Sequence, residues 1–156
     1  MADDRTLRKQ LVGALRGGHA HATFDDTVDG FPVKQAGVRP GKMPHSAWEL
    51  LEHMRIAQND ILEFSRSANY ISPKWPDGYW PASPAPSSEA EWRKSVQLFR
   101  EDLAAFEALL QDPRQDLNRP FPWGDGQTLL REALLIIDHN SYHLGQLMLV
   151  RRVLEA

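Results

Sequence analysis

The chain has 156 residues, 42% of them hydrophobic, enough for a single domain that buries about 68–70% of its unfolded surface without a disulfide or structural metal. Its formal charge of −3 comes from interspersed acids and bases with no basic stripe, so nucleic acid is not expected as a partner. The lack of cysteine excludes disulfide stapling, thiolate ligands and a cysteine nucleophile.

An acidic start, Met1-Ala2-Asp3-Asp4, carries no apolar stretch of signal-peptide type, and the longest apolar run, Ala133 to Ile137, is far short of the ~20 residues that span a bilayer. A soluble, cytoplasmic protein without membrane contact is expected. The first helix should begin near Asp3 or Asp4, with Leu7, Leu11, Val12 and Leu15 at helical spacing. Gly17-Gly18 weakens it, and the preferred reading is that it kinks there and resumes through His19 to Val28. His19 and His21 are expected at the surface. Residues 30–44, rich in proline and glycine, form a connector.

The second helix spans about Ser46 to Ser67, with Leu50, His53, Ile56, Ala57, Ile61 and Phe64 along one face. His53 thus falls inside an apolar stripe, where a polar side chain needs a partner. A loop from Ile71 to Pro86 contains Trp75-Pro76-Asp77-Gly78-Tyr79-Trp80-Pro81 and too many prolines for a helix. Its aromatic rings either wall a pocket or pack on the bundle, and both alternatives expect them largely buried. The third helix opens with a capping box, Ser88-Glu89-Ala90-Glu91. Its seam is Trp92, Val96, Phe99, Leu103, Phe106 and Leu110, and Asp112-Pro113 ends it.

Thr128 can cap the fourth helix, whose buried face is read as Leu135, Ile136, His139, His143, Leu147, Val150 and Leu154. The fold class that follows is all-α: a four-helix bundle of up-and-down type with long loops.

His139 and His143 stand four residues apart, so their imidazoles share one helical face. With His53 they supply three nitrogen donors, a common protein share of a catalytic metal site. Left unpaired in a core, three imidazoles would cost several times the ~1–3 kcal/mol of one unsatisfied polar group. One divalent ion satisfies them together, zinc first, with nickel, iron or manganese as alternatives. Ordinary hydrogen-bonded core histidines are the competing reading. Asn140, where a zincin protease needs glutamate, rejects that class, and the lack of Glu-x-x-His pairs rejects a di-iron bundle. Because the ligands must be neutral, metal affinity is expected to fall as pH drops through about 6.5.

Three further residues are candidates for catalysis. Gln146, one turn after His143, either orients a ligand or is a polar residue at the seam edge. Glu49, one turn before His53, is a possible general base, although an exposed salt-bridging glutamate is preferred. His45 is a fourth ligand, a proton shuttle or, as preferred, a solvent-exposed residue at the helix start.

The segments His45-Ser46-Ala47-Trp48-Glu49-Leu50-Leu51-Glu52-His53 and His139-Asn140-Ser141-Tyr142-His143-Leu144-Gly145-Gln146 resemble the DinB superfamily. The resemblance runs through the helix order and loop lengths of essentially the whole chain. It implies a four-helix bundle with a three-histidine metal site at one end, here His53, His139 and His143, often in a homodimer. Members of that superfamily include thiol-dependent S-transferases and a mycothiol-dependent isomerase. The resemblance therefore implies a small-molecule substrate and allows a thiol cosubstrate. The function expected is a mononuclear metal-dependent hydrolase or transferase; a metal-binding or interaction bundle without turnover is the alternative.

Overall fold

A computed structural model describes residues 4–156, so a helix start at Asp3 lies outside the described residues. Five helices follow in order: α1 (Arg5–Arg16), α2 (Phe24–Val28), α3 (Ala47–Arg66), α4 (Glu89–Gln111) and α5 (Leu129–Glu155). The four long ones pack as an all-α bundle. None of the helices among the described residues is long and apolar enough to cross a membrane.

Local chemistry sets most of the helix ends. α1 stops at Arg16 because Gly17 and Gly18 turn to φ 73° and 82°, a region costly for residues with a Cβ. The expected resumption through His19 is therefore corrected. α2 is a separate short helix, started by a reciprocal capping box between Thr23 and Asp26. His19 and His21 are exposed, as expected. Ser46 and Glu49 form a full capping box at α3. At α4 only half of the expected box exists: Ser88 accepts from the Glu91 amide, but the Glu91 carboxylate takes the Ser87 amide instead. Thr128 caps α5 by accepting from the Arg131 amide at 3.1 Å.

The up-and-down course holds except at one connection. Glu52 meets Ser95, Gln58 meets Phe99 and Asn59 meets Asp102, so positions on α3 and α4 rise together and the two helices run parallel. α3 is 20 residues, about 30 Å, long. The long loop of residues 67–88 crosses back over that length before α4 begins, passing beside α3 on its way. α5 runs antiparallel to α3, and α1 runs antiparallel to α4, with Arg8 at Leu110 and Arg16 at Glu107.

The core has two parts. Trp48, Leu51, Met54, Trp92, Phe99, Leu144, Leu147 and Val150 fill one end, roofed by Val28 and Phe31. Leu11, Leu15, Leu62, Phe106, Leu110, Leu129 and Ile136 fill the other. Full burial of each such side chain contributes roughly 1.5–3 kcal/mol, so packing outweighs any single polar contact in holding the bundle. In the α4 seam only Leu103 is half-exposed. The α5 face differs more: Leu135, His139, His143 and Leu154 are half-buried, while Leu129, Glu132, Ala133 and Leu144 are buried.

Candidate metal centre

α3 and α5 bring His53, His139 and His143 together on the side of their interface where the 67–88 loop passes. One ring nitrogen from each lies within 4.8 Å of the others, and among the described residues no further His, Asp or Glu joins the group. The Nε2 atoms of His53 and His139 are 3.0 Å apart. Two nitrogens bound at 2.0–2.1 Å to one tetrahedral ion would stand about 3.3 Å apart, so little movement separates this spacing from coordination.

Neighbouring oxygens decide which nitrogen of each ring is free. The Nδ1 of His53 lies 2.9 Å from the carbonyl oxygen of Tyr79, and a carbonyl can only accept. The proton therefore sits on Nδ1, and the Nε2 lone pair faces the other two histidines. His143 repeats the arrangement with Gln146, whose Oε1 is 2.8 Å from Nδ1. Such contacts fix the tautomer and plane of metal-binding imidazoles. Without an ion, the Nε2 of His139 must donate to the Nε2 of His53, since the latter carries no proton. The donor set thus fits one divalent ion held by three neutral imidazoles.

All three rings have lowered pKa values. Burial is the largest cause for each. His139 is pushed down to about 4 by burial and by the charges that His143 and His53 would carry, against a smaller opposing contribution from Asn140. The Tyr79 carbonyl and Gln146 partly counter the shift at His53 and His143. The three imidazoles therefore stay neutral to lower pH than an ordinary histidine.

Trp80 lies flat against His53, with ring centres 4.0 Å apart and planes 3° from parallel. Its other face carries His45, at 4.1 Å and 17°. The preferred reading of His45 as solvent-exposed is corrected: it is half-buried against Trp80, and it is no fourth member of the three-histidine group. Trp75 does not share this placement. It is 72% exposed, because the turn at residues 77–79 brings Tyr79 and Trp80 onto α3 and leaves Trp75 outside. The expectation of buried rings fails at Trp75 and is met in part at Trp80, which is half-buried.

The preferred reading of Glu49 is met in its salt bridge, to Arg39, but its exposure is corrected: it is only 8% exposed. Its carboxylate accepts from the Ser46 amide at 2.7 Å and is gripped by Arg39, which reaches in from the 30–44 connector. Burial pushes the carboxyl up, but the Arg39 and Ser46 contacts outweigh it and hold the pKa below its ordinary value. A carboxylate so engaged is a poor proton acceptor. Gln146 stands beside the three-histidine group through His143, while Glu49 is committed elsewhere.

Sequence reasoning did not find Tyr79, Asp60 or Gln58. Tyr79 acts through a backbone carbonyl, which every residue carries. Its hydroxyl donates to Asp60 Oδ2 at 2.7 Å. Gln58, buried at the α3–α4–α5 junction, donates to the Phe99 carbonyl and accepts from Asn140, the residue after His139. A glutamine within an apolar stripe was the available signal.

A sequence model of the DinB superfamily matches residues 18–147, a range that includes all three histidines. No curated protein and no solved structure matches the chain.

Proposed function

The chain belongs to the DinB superfamily, and on that premise we propose that it is a mononuclear metal-dependent hydrolase or transferase acting on a small molecule. The observation that carries the proposal is the convergence of three imidazoles, two of them with the free nitrogen dictated by protein oxygens. Closed structural zinc sites take four protein ligands, whereas catalytic sites commonly take three. Three donors therefore favour turnover over a purely structural role.

His53, His139 and His143 would hold the ion, zinc first, with nickel, iron and manganese as its competitors. A divalent ion held there would supply Lewis acidity, polarising a substrate oxygen or lowering the pKa of a nucleophile, water or a cosubstrate thiol. The remaining work falls to the chain. Trp80 covers one face of His53 and excludes water from it. Tyr142 sets its ring edge-on to His143 at 4.9 Å. With its oxygen engaged by His143, Gln146 keeps its amide N–H groups to orient a bound polar group.

A homodimer is part of the same proposal. Leu134, Tyr142, Leu149 and Val153 are exposed along one side of α5, an apolar stripe suited to a second copy. A Tyr142→Glu/Leu149→Glu chain should then elute as a monomer in light-scattering chromatography while the parent does not.

Elemental analysis of the purified chain beside a His139→Ala/His143→Ala variant tests the metal reading. About one ion per chain, lost in the variant, supports it and justifies hydrolase and thiol-transferase screens. No ion in either, after incubation with zinc, nickel, iron and manganese, would leave a metal-free interaction bundle.

A further inference from the structure

We propose that Tyr79 and Asp60 are positioning residues for His53, forming a latch that fixes which nitrogen the histidine presents. The inference rests on His53 being a metal ligand, but the latch itself is visible without any ion.

Tyr79 holds α3 at two points. Its carbonyl oxygen accepts from His53 Nδ1 at 2.9 Å, and its hydroxyl donates to Asp60 Oδ2 at 2.7 Å. His53 and Asp60 are seven residues apart, two turns of the same helix, so the tyrosine lies along roughly 10 Å of α3. Oδ2 of Asp60 is engaged by the hydroxyl, and Oδ1 is buried. Burial and then the Asp60 contact push the Tyr79 hydroxyl well above its ordinary pKa, so it stays a donor at neutral pH. Tyr70 stands against the same carboxylate and is pushed up to about 12, by burial first and Asp60 second.

The turn at residues 77–79 joins the two contacts to the ring stack, because Trp80 follows Tyr79 directly and lies on His53. The carbonyl sets the tautomer of His53 and the indole sets its plane. Nothing else on the 77–79 turn reaches α3 by a side-chain hydrogen bond among the described residues, so the hydroxyl–carboxylate bond keeps that carbonyl in place. Asp60 thereby acts on the His53 end of the site from two turns away.

The test uses the full chain and two readouts. In the metal-free state, long-range nitrogen–proton NMR of the imidazoles should show His53 protonated at Nδ1 alone. Tyr79→Phe and Asp60→Ala should give a mixture of tautomers with the helical circular dichroism unchanged. Asp60→Asn, whose amide oxygen still accepts from the hydroxyl, should keep the parent tautomer. Titration with Co²⁺ should show about ten- to a hundredfold weaker binding and an altered visible absorption envelope in Tyr79→Phe and Asp60→Ala. A parent-like tautomer and Co²⁺ affinity within twofold of the parent in Tyr79→Phe would overturn the latch. A tautomer change in Tyr79→Phe, in a parent that takes up no Co²⁺, would sustain the latch and overturn the ligand reading instead.

Discussion

Oε1 of Gln146 lies 2.8 Å from Nδ1 of His143, one turn earlier on the same helix. The oxygen of an amide can only accept, so Gln146 decides that His143 offers Nε2 to its neighbours. Gln146→Ala should therefore weaken metal binding about ten- to a hundredfold, the usual consequence of losing a group that orients a ligand. Gln146→Glu keeps the acceptor and should bind at least as tightly as the parent. Competition against a chromophoric chelator measures both. Equal affinities for the parent and Gln146→Ala would place this contact outside the site's function.

Acid should destabilise the metal-free chain through its histidines. The folded state holds His53, His139 and His143 below their ordinary pKa, His139 at about 4. An unfolded chain takes up protons near pH 6.5 that the folded chain refuses. The unfolded state then carries more protons, and stability rises with pH across this window. The contribution is whole above about pH 6.5 and is lost as pH falls toward about 4. Urea midpoints at pH 7.5, 6 and 5 should show this decline, and His139→Leu should flatten it. For the loaded protein, the same shift moves proton competition lower than the pH 6.5 expected from an ordinary imidazole. An ion retained at pH 6 and lost only on further acidification is the expected record.

How far the site was legible depends on what kind of group each residue uses. His139 and His143 announce themselves by spacing, and His53 by standing in an apolar stripe, because side-chain periodicity survives in sequence. Ser46 and Thr128 mark their helix starts for the same reason. The Tyr79 carbonyl leaves no trace, since the acceptor is backbone and the partner is 26 residues away. Glu49 looked like a surface residue on its own helix. It is buried because Arg39, ten residues earlier in a segment without periodicity, folds onto it. Trp75 and Trp80 look equivalent in sequence, and only the direction of the turn between them separates an exposed ring from one stacked on His53. The parallel course of α3 and α4 was hidden because a long loop permits either direction.

Gln58 ties three helices together at 1% exposure, donating to the Phe99 carbonyl at 2.8 Å and accepting from Asn140 Nδ2 at 2.9 Å. Gln58→Leu fills the same space but strands the Asn140 amide, at a cost of about 1–3 kcal/mol. Asn140→Leu should cost less when Gln58 is already leucine, because neither partner then remains unsatisfied. A double-mutant cycle in urea would give a coupling of about 0.5–3 kcal/mol for residues in such contact. Additive losses would show that the pair does not act as a unit.

Gly37 is the point where the 30–44 connector rests on the end of the 67–88 loop. A Cβ built there would stand 2.4 Å from the Ala85 Cβ and 3.0 Å from the Ala85 Cα. Both obstacles are short and close to the backbone, so no side-chain rotation relieves them. The two segments must part, and with them goes the contact of Ser46 Oγ with the Pro84 carbonyl, 2.5 Å long, beside the α3 cap. Gly37→Ala should therefore cost about 1–3 kcal/mol, in the range of overpacked cores. In a chain of this size that corresponds to a fall in Tm of roughly 2–12 °C, at about 2–4 °C per kcal/mol. Ala85→Gly removes the nearer obstacle, and adding it to Gly37→Ala should recover part of the loss. Recovery in a thermal-shift assay would identify the clash as the cause; a double variant no more stable than Gly37→Ala alone would assign the loss to the backbone of the glycine itself.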